Sequence, residues 1–211
     1  LSEGQKKIFS KFKFESKESY IIQNSISDTD IEINDKTKSI SKANKKSELI
    51  LGYLGRGTVE KGYFFLVDEI LSIRNLKFCI KIGGNVTEKM NIEQACYLGH
   101  VEKNTFLDSI DVLIVPSLWS EPFGRVVIEA LCKNKIVVCS NVGGVSDFGK
   151  YSNVIMFTPK PGELSKILKE IIENGIPDNS SKQAFNYKDF NSESITSQYL
   201  RVYNSIISNP D

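Results

Sequence analysis

The chain reads as an open α/β domain, Rossmann-like and doubly wound around a parallel sheet, and three observations predict it. Short β-like runs alternate with helical patterns along most of the 211 residues. Several of those runs, DVLIVPS and KIVVCS among them, are apolar without alternation, as expected for strands that helices cover on both faces. Length and composition agree, because 40% apolar residues and a net charge of +1 suit one ordinary soluble domain better than two.

Taken in order, the opening LSEGQKKIFSKF has a helical pattern and looks cut from something longer, and SYIIQ is expected to be a first strand. The polar stretch SDTDIEINDKTKSISKANKKSE then joins that strand to the αβ repeat as a surface excursion. Its part KANKKSE is lysine-rich but lacks interleaved aromatics, so it is read as a solvated loop, and the near-zero net charge likewise argues against a nucleic-acid binder. ELILGYLG, a helix over 61–74, LKFCIKIGG, ACYLG, a helix from about Lys103, DVLIVPS, a helix over 123–133 and KIVVCS follow. After VIMFTP, the segment PGELSKILKEIIENG spaces Leu164, Ile167, Leu168, Ile171 and Ile172 as one helical face between Pro161 and Gly175. GIPDNSSKQ is a loop. NSESITSQYLRVYNSII is a last helix, with Ser192 as its cap and Ile195, Tyr199, Val202, Tyr203 and Ile206 along one stripe.

Some functions are excluded at this level. No window approaches the ~18 apolar residues of a membrane span, and no basic start leads into an apolar core of signal-peptide type. Cys79, Cys96, Cys132 and Cys139 form no C-x-x-C pair and His100 is the one histidine, so the reading is buried free thiols in a reducing compartment, with no metal.

Ligands of open α/β sheets sit beyond the carboxyl ends of the strands, so the residues directly after each strand carry the information. Those edges read GRGTVEKG, GGN, GHV, LWSEPFGR and NVGGVS, and the glycines in them let a ligand approach the backbone. GRGTVEKG is neither a G-x-G-x-x-G fingerprint nor a P-loop. It places Arg56 and Lys61 at its two ends, with Lys61 at the mouth of a helix, an arrangement that suits an anion. The alternative is that Arg56 simply pairs with Glu60 on a wet surface. In SLWSEPFGRVVIEAL, Glu121 stands at a helix mouth beside Pro122 and Glu129 about two turns in, among apolar neighbours. Arg125, four residues from each, could pair with both. Alternatively the two carboxylates accept hydroxyls of a ribose or hexose, with the amides at 123–125 nearby for phosphate.

These residues resemble a known family. EPFGRVVIEAL, glutamates separated by seven residues, is similar to the signature of the retaining glycosyltransferases of family 4, which have the GT-B architecture of two facing Rossmann-like domains. GR-x4-KG at 55–62, IGG at 82–84, YLGHV at 97–101, PSLWSEPFG at 116–124 and NVGGVSD at 141–147 follow the family order. The resemblance runs from about Tyr20 to Ile207 and covers the C-terminal, nucleotide-sugar-binding half. It implies a linker or helix from the N-terminal domain over 1–19, a donor domain over 20–190 and a bracing C-terminal helix over 191–211. By the same resemblance Arg56 and Lys61, near Gly55, hold the donor diphosphate, and Glu121 faces the transferred sugar. Pro122, Phe123, Gly124 and Arg125 form the helix mouth on the distal phosphate, and Glu129 grips the ribose. Gly83 lies under the nucleotide, and Gly99, His100 and Val101 border the base.

The chain departs from the family pattern in two places. Ser146 and Asp147 stand where proline and glutamate usually follow the Gly-Gly pair, and only fourteen residues separate Gly84 from Gly99, which suggests a missing or truncated helix. The implied function is transfer of a sugar, with retention, from a nucleotide-diphosphate sugar to a glycan or lipid-linked acceptor, without a cofactor. The expected setting is the cytoplasm, at the inner face of the membrane if the N-terminal half attaches there. The rival readings are a module that senses a nucleotide sugar without turnover, and an epimerase or phosphorylase on the same architecture.

Overall fold

The structure, a computed structural model, describes residues 2–12, 19–26 and 48–208. The polar excursion over 28–47 lies outside the described residues.

Among the described residues six parallel strands form one sheet: β1 (Leu49–Leu54), β2 (Phe78–Gly83), β3 (Ala95–Gly99), β4 (Val112–Val115), β5 (Ile136–Ser140) and β6 (Val154–Phe157). Their order is β3-β2-β1-β4-β5-β6, so the chain winds outward from β1 in one direction and then, through β4, in the other. The reversal opens a crevice between the carboxyl ends of β1 and β4. The helices are α1 (Glu3–Lys11), α2 (Tyr63–Ser72), α3 (Lys103–Asp108), α4 (Arg125–Cys132), α5 (Glu163–Asn174) and α6 (Ser192–Ser208), with 3₁₀ turns at Gly143–Lys150 and Tyr187–Phe190.

Both faces of the sheet are covered, which accounts for the unalternating strands. Leu113, Val115, Val137 and Cys139 join one buried cluster with Phe106, Leu107, Val127, Ile128 and Leu131 of α3 and α4. Val112, Ile114, Ile136 and Val138 join a second with Leu66 and Ile70 of α2 and Leu164 and Leu168 of α5. Successive side chains of a strand point to opposite faces, so β4 and β5 must be apolar throughout.

Four expectations change. SYIIQ is not a strand: residues 19–26 run without regular structure and tie to the body where the Ile26 amide donates to the Phe190 carbonyl at 2.9 Å. Both flanks of β1 are already occupied, by β2 and β4, so this segment has no place beside the strand that follows it. The helix expected over 123–133 begins at Arg125, because Gly124 takes a left-handed conformation, φ 81°, and caps it. The cap of α6 is Asn191, whose Oδ1 accepts from the Ser194 amide at 2.8 Å, with Ser192 already inside the helix. Of the cysteines, Cys139 is buried but Cys96 is exposed on the edge strand β3. The short link between β2 and β3 contains no helix, as its length suggested.

Candidate functional site

Backbone contacts zip the strand ends together before any side chain is considered. The Gly55 amide donates to the Gly83 carbonyl at 3.0 Å, the Gly84 amide to the Gly99 carbonyl at 2.7 Å and the Gly57 amide to the Asn85 carbonyl at 2.8 Å. Gly55, Gly83 and Gly99 thereby sit at adjacent ends of β1, β2 and β3. Gly84 is left-handed, φ 110°, and a methyl there would overlap the Gly55 carbonyl, so this approach requires glycine. A methyl at Gly83 would come within 2.8 Å of Val101 Cγ2, which packs the Gly99–Val101 turn onto the sheet end. His100 is exposed.

The crevice itself is closed by the loops that follow β1 and β4. Both Leu118 and Trp119 donate their amides to the Glu60 carbonyl, at 3.0 and 3.2 Å. Gly62, φ 70°, caps α2 with its Cα against the Pro116 carbonyl, so the mouth of α2 and the end of β4 touch. Lys61 is carried by this contact to Glu121: its Nζ donates to Oε1 at 2.9 Å. Ser117 Oγ donates to the same oxygen at 2.5 Å, while Ser140 Oγ, at the end of β5, holds the Ser117 carbonyl at 2.6 Å. Below the loop, the Tyr53 hydroxyl donates to the Arg56 carbonyl at 2.6 Å. Burial, and after it the Glu121 charge, pushes the Tyr53 phenol well above its ordinary value, so it stays protonated as a donor.

Glu129, 9% exposed, is held by a residue that sequence spacing did not single out. Lys103 Nζ, at the start of α3, donates to Glu129 Oε1 at 3.0 Å, and the guanidinium of the more exposed Arg125 lies 3.9 Å from the same oxygen. Arg125 therefore approaches one glutamate, and Glu121 goes to Lys61. With Ser25, Ile26, Phe123 and Ile128, the Arg125 and Glu129 side chains line a recess at the mouth of α4. The structure thus brings Gly55, Lys61, Glu121, Pro122, Phe123, Gly124, Arg125 and Glu129 to one edge of the sheet, with Gly83, Gly99, His100 and Val101 along its β2–β3 side. Arg56 points outward: it is 66% exposed on its side chain and lies 3.7 Å from Glu60, as the surface-pair reading expected.

Two helix N-termini, those of α2 and α4, open onto this edge with their partial positive charge; the Tyr63 amide of α2 is taken by the Thr58 carbonyl at 3.2 Å and the Val127 amide of α4 by the Gly124 carbonyl at 3.0 Å. With Lys61 between them the edge is suited to an anion, while Glu121 and Glu129 supply acceptors for hydroxyl groups on either side. Among the described residues no group of three or more His, Cys, Asp or Glu is placed to hold a metal ion, and no helix is long and apolar enough to cross a membrane.

Comparison with known proteins bears on the same region. The family model described as "Glycosyl transferases group 1" matches residues 34–188. An uncharacterized 42.6 kDa protein in the cps region of Klebsiella pneumoniae is 30% identical over 196 residues, 90% of this chain and 48% of that protein. Among solved structures, Anabaena Alr3699/HepE in complex with UDP superposes with a TM-score of 0.75 at 20% identity, over 97% of this chain and 62% of that one. A glycosyltransferase from Rickettsia africae does so with a TM-score of 0.78 at 18% identity, over 99% and 63%. The chain thus spans about half the length of the curated relative and about three-fifths of the solved structures. Family match, strand order and fold agree, and the chain belongs to the group 1 glycosyl transferases, with the Rossmann-like fold of the C-terminal domain of GT-B enzymes.

Proposed function

We propose that this chain is the donor half of a glycosyltransferase, binding a nucleotide-diphosphate sugar in the crevice between β1 and β4. The observation that carries the reading is the Lys61–Glu121 pair, set at 2.9 Å between two helix mouths at the point where strand order reverses. In this assignment Lys61 and the first-turn amides of α4 meet the diphosphate, with Arg56 swinging in from the surface. Glu121 faces the sugar, Glu129 holds the ribose hydroxyls, and the Gly83 and Gly99–Val101 edge carries the base. As the bond from the anomeric carbon to the diphosphate oxygen breaks, negative charge grows on the leaving group, and these preorganised cations and dipoles stabilise it. Lys61 is then shared between Glu121 and phosphate, which links the sugar end of the site to the leaving group.

Supporting the finer points, HepE is described in complex with UDP, and the Klebsiella relative lies in a cps region. A uridine sugar as donor, retention of configuration and a surface-polysaccharide or lipid-linked acceptor are the corresponding proposals. Acceptor binding is assigned to a partner Rossmann-like domain, with residues 1–19 and 191–211 as the segments that join and brace the halves. Residence in the cytoplasm follows the same reading and fits cysteines that form no disulfide among the described residues.

The test is thermal denaturation with UDP, GDP, ADP and TDP and their sugars. A ligand at about ten times its Kd adds about 1.4 kcal/mol, a rise of a few degrees for a domain of this size. Lys61→Ala and Glu129→Gln are expected to remove that rise. If no nucleotide diphosphate moves the Tm of the unaltered chain, the donor-site assignment fails.

A further inference from the structure

Asp147 stands where the family usually has glutamate, and it performs a task that the donor-site reading leaves unused. The first turn of a helix presents amides without intrahelical acceptors, and at α1 all three leading amides are met by side-chain oxygens. The Gln5 amide goes to Ser2 Oγ at 3.1 Å, an ordinary local cap. The other two go to a residue more than 140 positions away: the Glu3 amide to Asp147 Oδ2 at 2.8 Å and the Gly4 amide to Asp147 Oδ1 at 3.2 Å. A nine-residue helix is marginal by itself, so its order depends on this docking.

The docking continues into the loop that carries Glu121. Ser2 is fully buried, and a methyl at Gly144 would come within 2.6 Å of its Oγ and overlap the Pro122 carbonyl. A methyl at Gly4 would overlap the Gly143 carbonyl, so the helix start lies directly on the Gly-Gly turn. Gln5 Nε2 donates to the Ser120 carbonyl at 3.0 Å, and the Gly144 amide donates to the Glu121 carbonyl at 2.7 Å. The peptide units on both sides of Glu121 are therefore held, one by α1 and the other by the turn that Asp147 ties to α1.

We propose that Asp147 is a positioning residue: by clasping the N-terminus of α1 it fixes the Ser120–Pro122 backbone and so aims the Glu121 carboxylate at the sugar of the bound donor. The proposal rests on the donor-site reading, and it makes α1 a reporter of the sugar end of the site, with the nucleotide end independent of it. A cap of purely local importance would loosen α1 and leave the Glu121 loop unmoved.

Amide hydrogen exchange on the chain, with Kd values for UDP and UDP-glucose, separates these cases. Asp147→Ala is expected to speed exchange at Glu3 and Gly4 and also at Glu121 and Gly144. It should leave the Kd for UDP within about twofold and weaken UDP-glucose by ~5-fold or more. Asp147→Glu should restore most of both effects. Gln5→Ala, which removes the Ser120 contact and keeps the cap, should speed exchange at Glu121 if the Asp147→Ala protein fails to fold. The clasp is overturned if α1 exchange is unchanged in Asp147→Ala, or if α1 loosens while Glu121, Gly144 and the ratio of the two Kd values stay as in the unaltered chain. Should the unaltered chain bind neither ligand, the uridine-sugar reading fails by itself, and exchange at Glu121 and Gly144 alone decides the clasp.

Discussion

Glu129 sits in an apolar helix, and its burial is tolerable because Lys103 and Arg125 both approach the same oxygen. Arg125 was legible in the sequence, since four residues along a helix are neighbours; Lys103, twenty-six residues upstream, was not, because no local periodicity relates α3 to α4. Ser117 and Tyr53 escaped for the same reason: their roles exist only where strand ends meet. The cysteines give a sharper test at this scale. Burial pushes the Cys139 thiol up to about 12, and its Sγ lies 3.3 Å from Met156 Sδ, whereas Cys96 is exposed. With a maleimide at pH 8, Cys96 is expected to label within minutes, and Cys139 only when the chain is unfolded in urea. Mass spectrometry of tryptic peptides checks this, and rapid native labelling at Cys139 would contradict the packing of β5 described here.

At the scale of elements, buried carboxylates place helices. Glu69 of α2, 4% exposed, turns both oxygens to the mouth of α5, accepting from the Gly162 and Ser165 amides at 2.7 Å each. This contact joins two helices on one face of the sheet, and α5 has no side-chain cap of its own at Gly162. Glu69→Ala leaves those amides without a partner and is expected to cost about 2–3 kcal/mol in urea unfolding, while Glu69→Gln, which keeps one acceptor, costs less. The sequence displayed α5 plainly through its apolar stripe, yet what anchors its start lies ninety-three residues earlier. α3 is held differently: exposed Glu102 accepts from the Asn104 and Thr105 amides at 2.8 and 2.6 Å. Those bonds, the Thr105 amide foremost, pull its carboxyl down to about 2.

For the whole molecule, the shifted groups set a pH window. Glu102, and likewise Glu60 and Asp178, have folded-state values lowered by hydrogen bonds, so their contribution is present above the ordinary carboxylate pKa of about 4 and lost as pH falls toward 2. Tyr53, Tyr63, Tyr151, Cys79 and Cys139 are raised, mainly by burial, so theirs is complete below the ordinary thiol and phenol values and is lost as pH rises beyond about 8.5 to 10. The urea midpoint is expected to be flat between about pH 5 and 8 and to fall on both sides. A midpoint that kept rising above pH 9 would contradict the protonated, buried phenols.

Residue order along the chain was enough to determine the αβ alternation, the doubly wound class, the ligand-bearing edges and the family, because each depends on local periodicity and on short motifs. Folding alone decided the partners. The sequence could not distinguish Glu121 bound to Lys61 from Glu121 bound to Arg125, since that choice follows from Gly62 resting on the Pro116 carbonyl across two loops. Nor could it tell that SYIIQ, apolar enough for a strand, would be left outside a sheet whose central places were already filled, or that Asp147 would close on a helix at the other end of the chain. Pairings between distant segments are settled by which backbones pack closely enough to touch, and that is a property of the assembled sheet, not of any stretch within it.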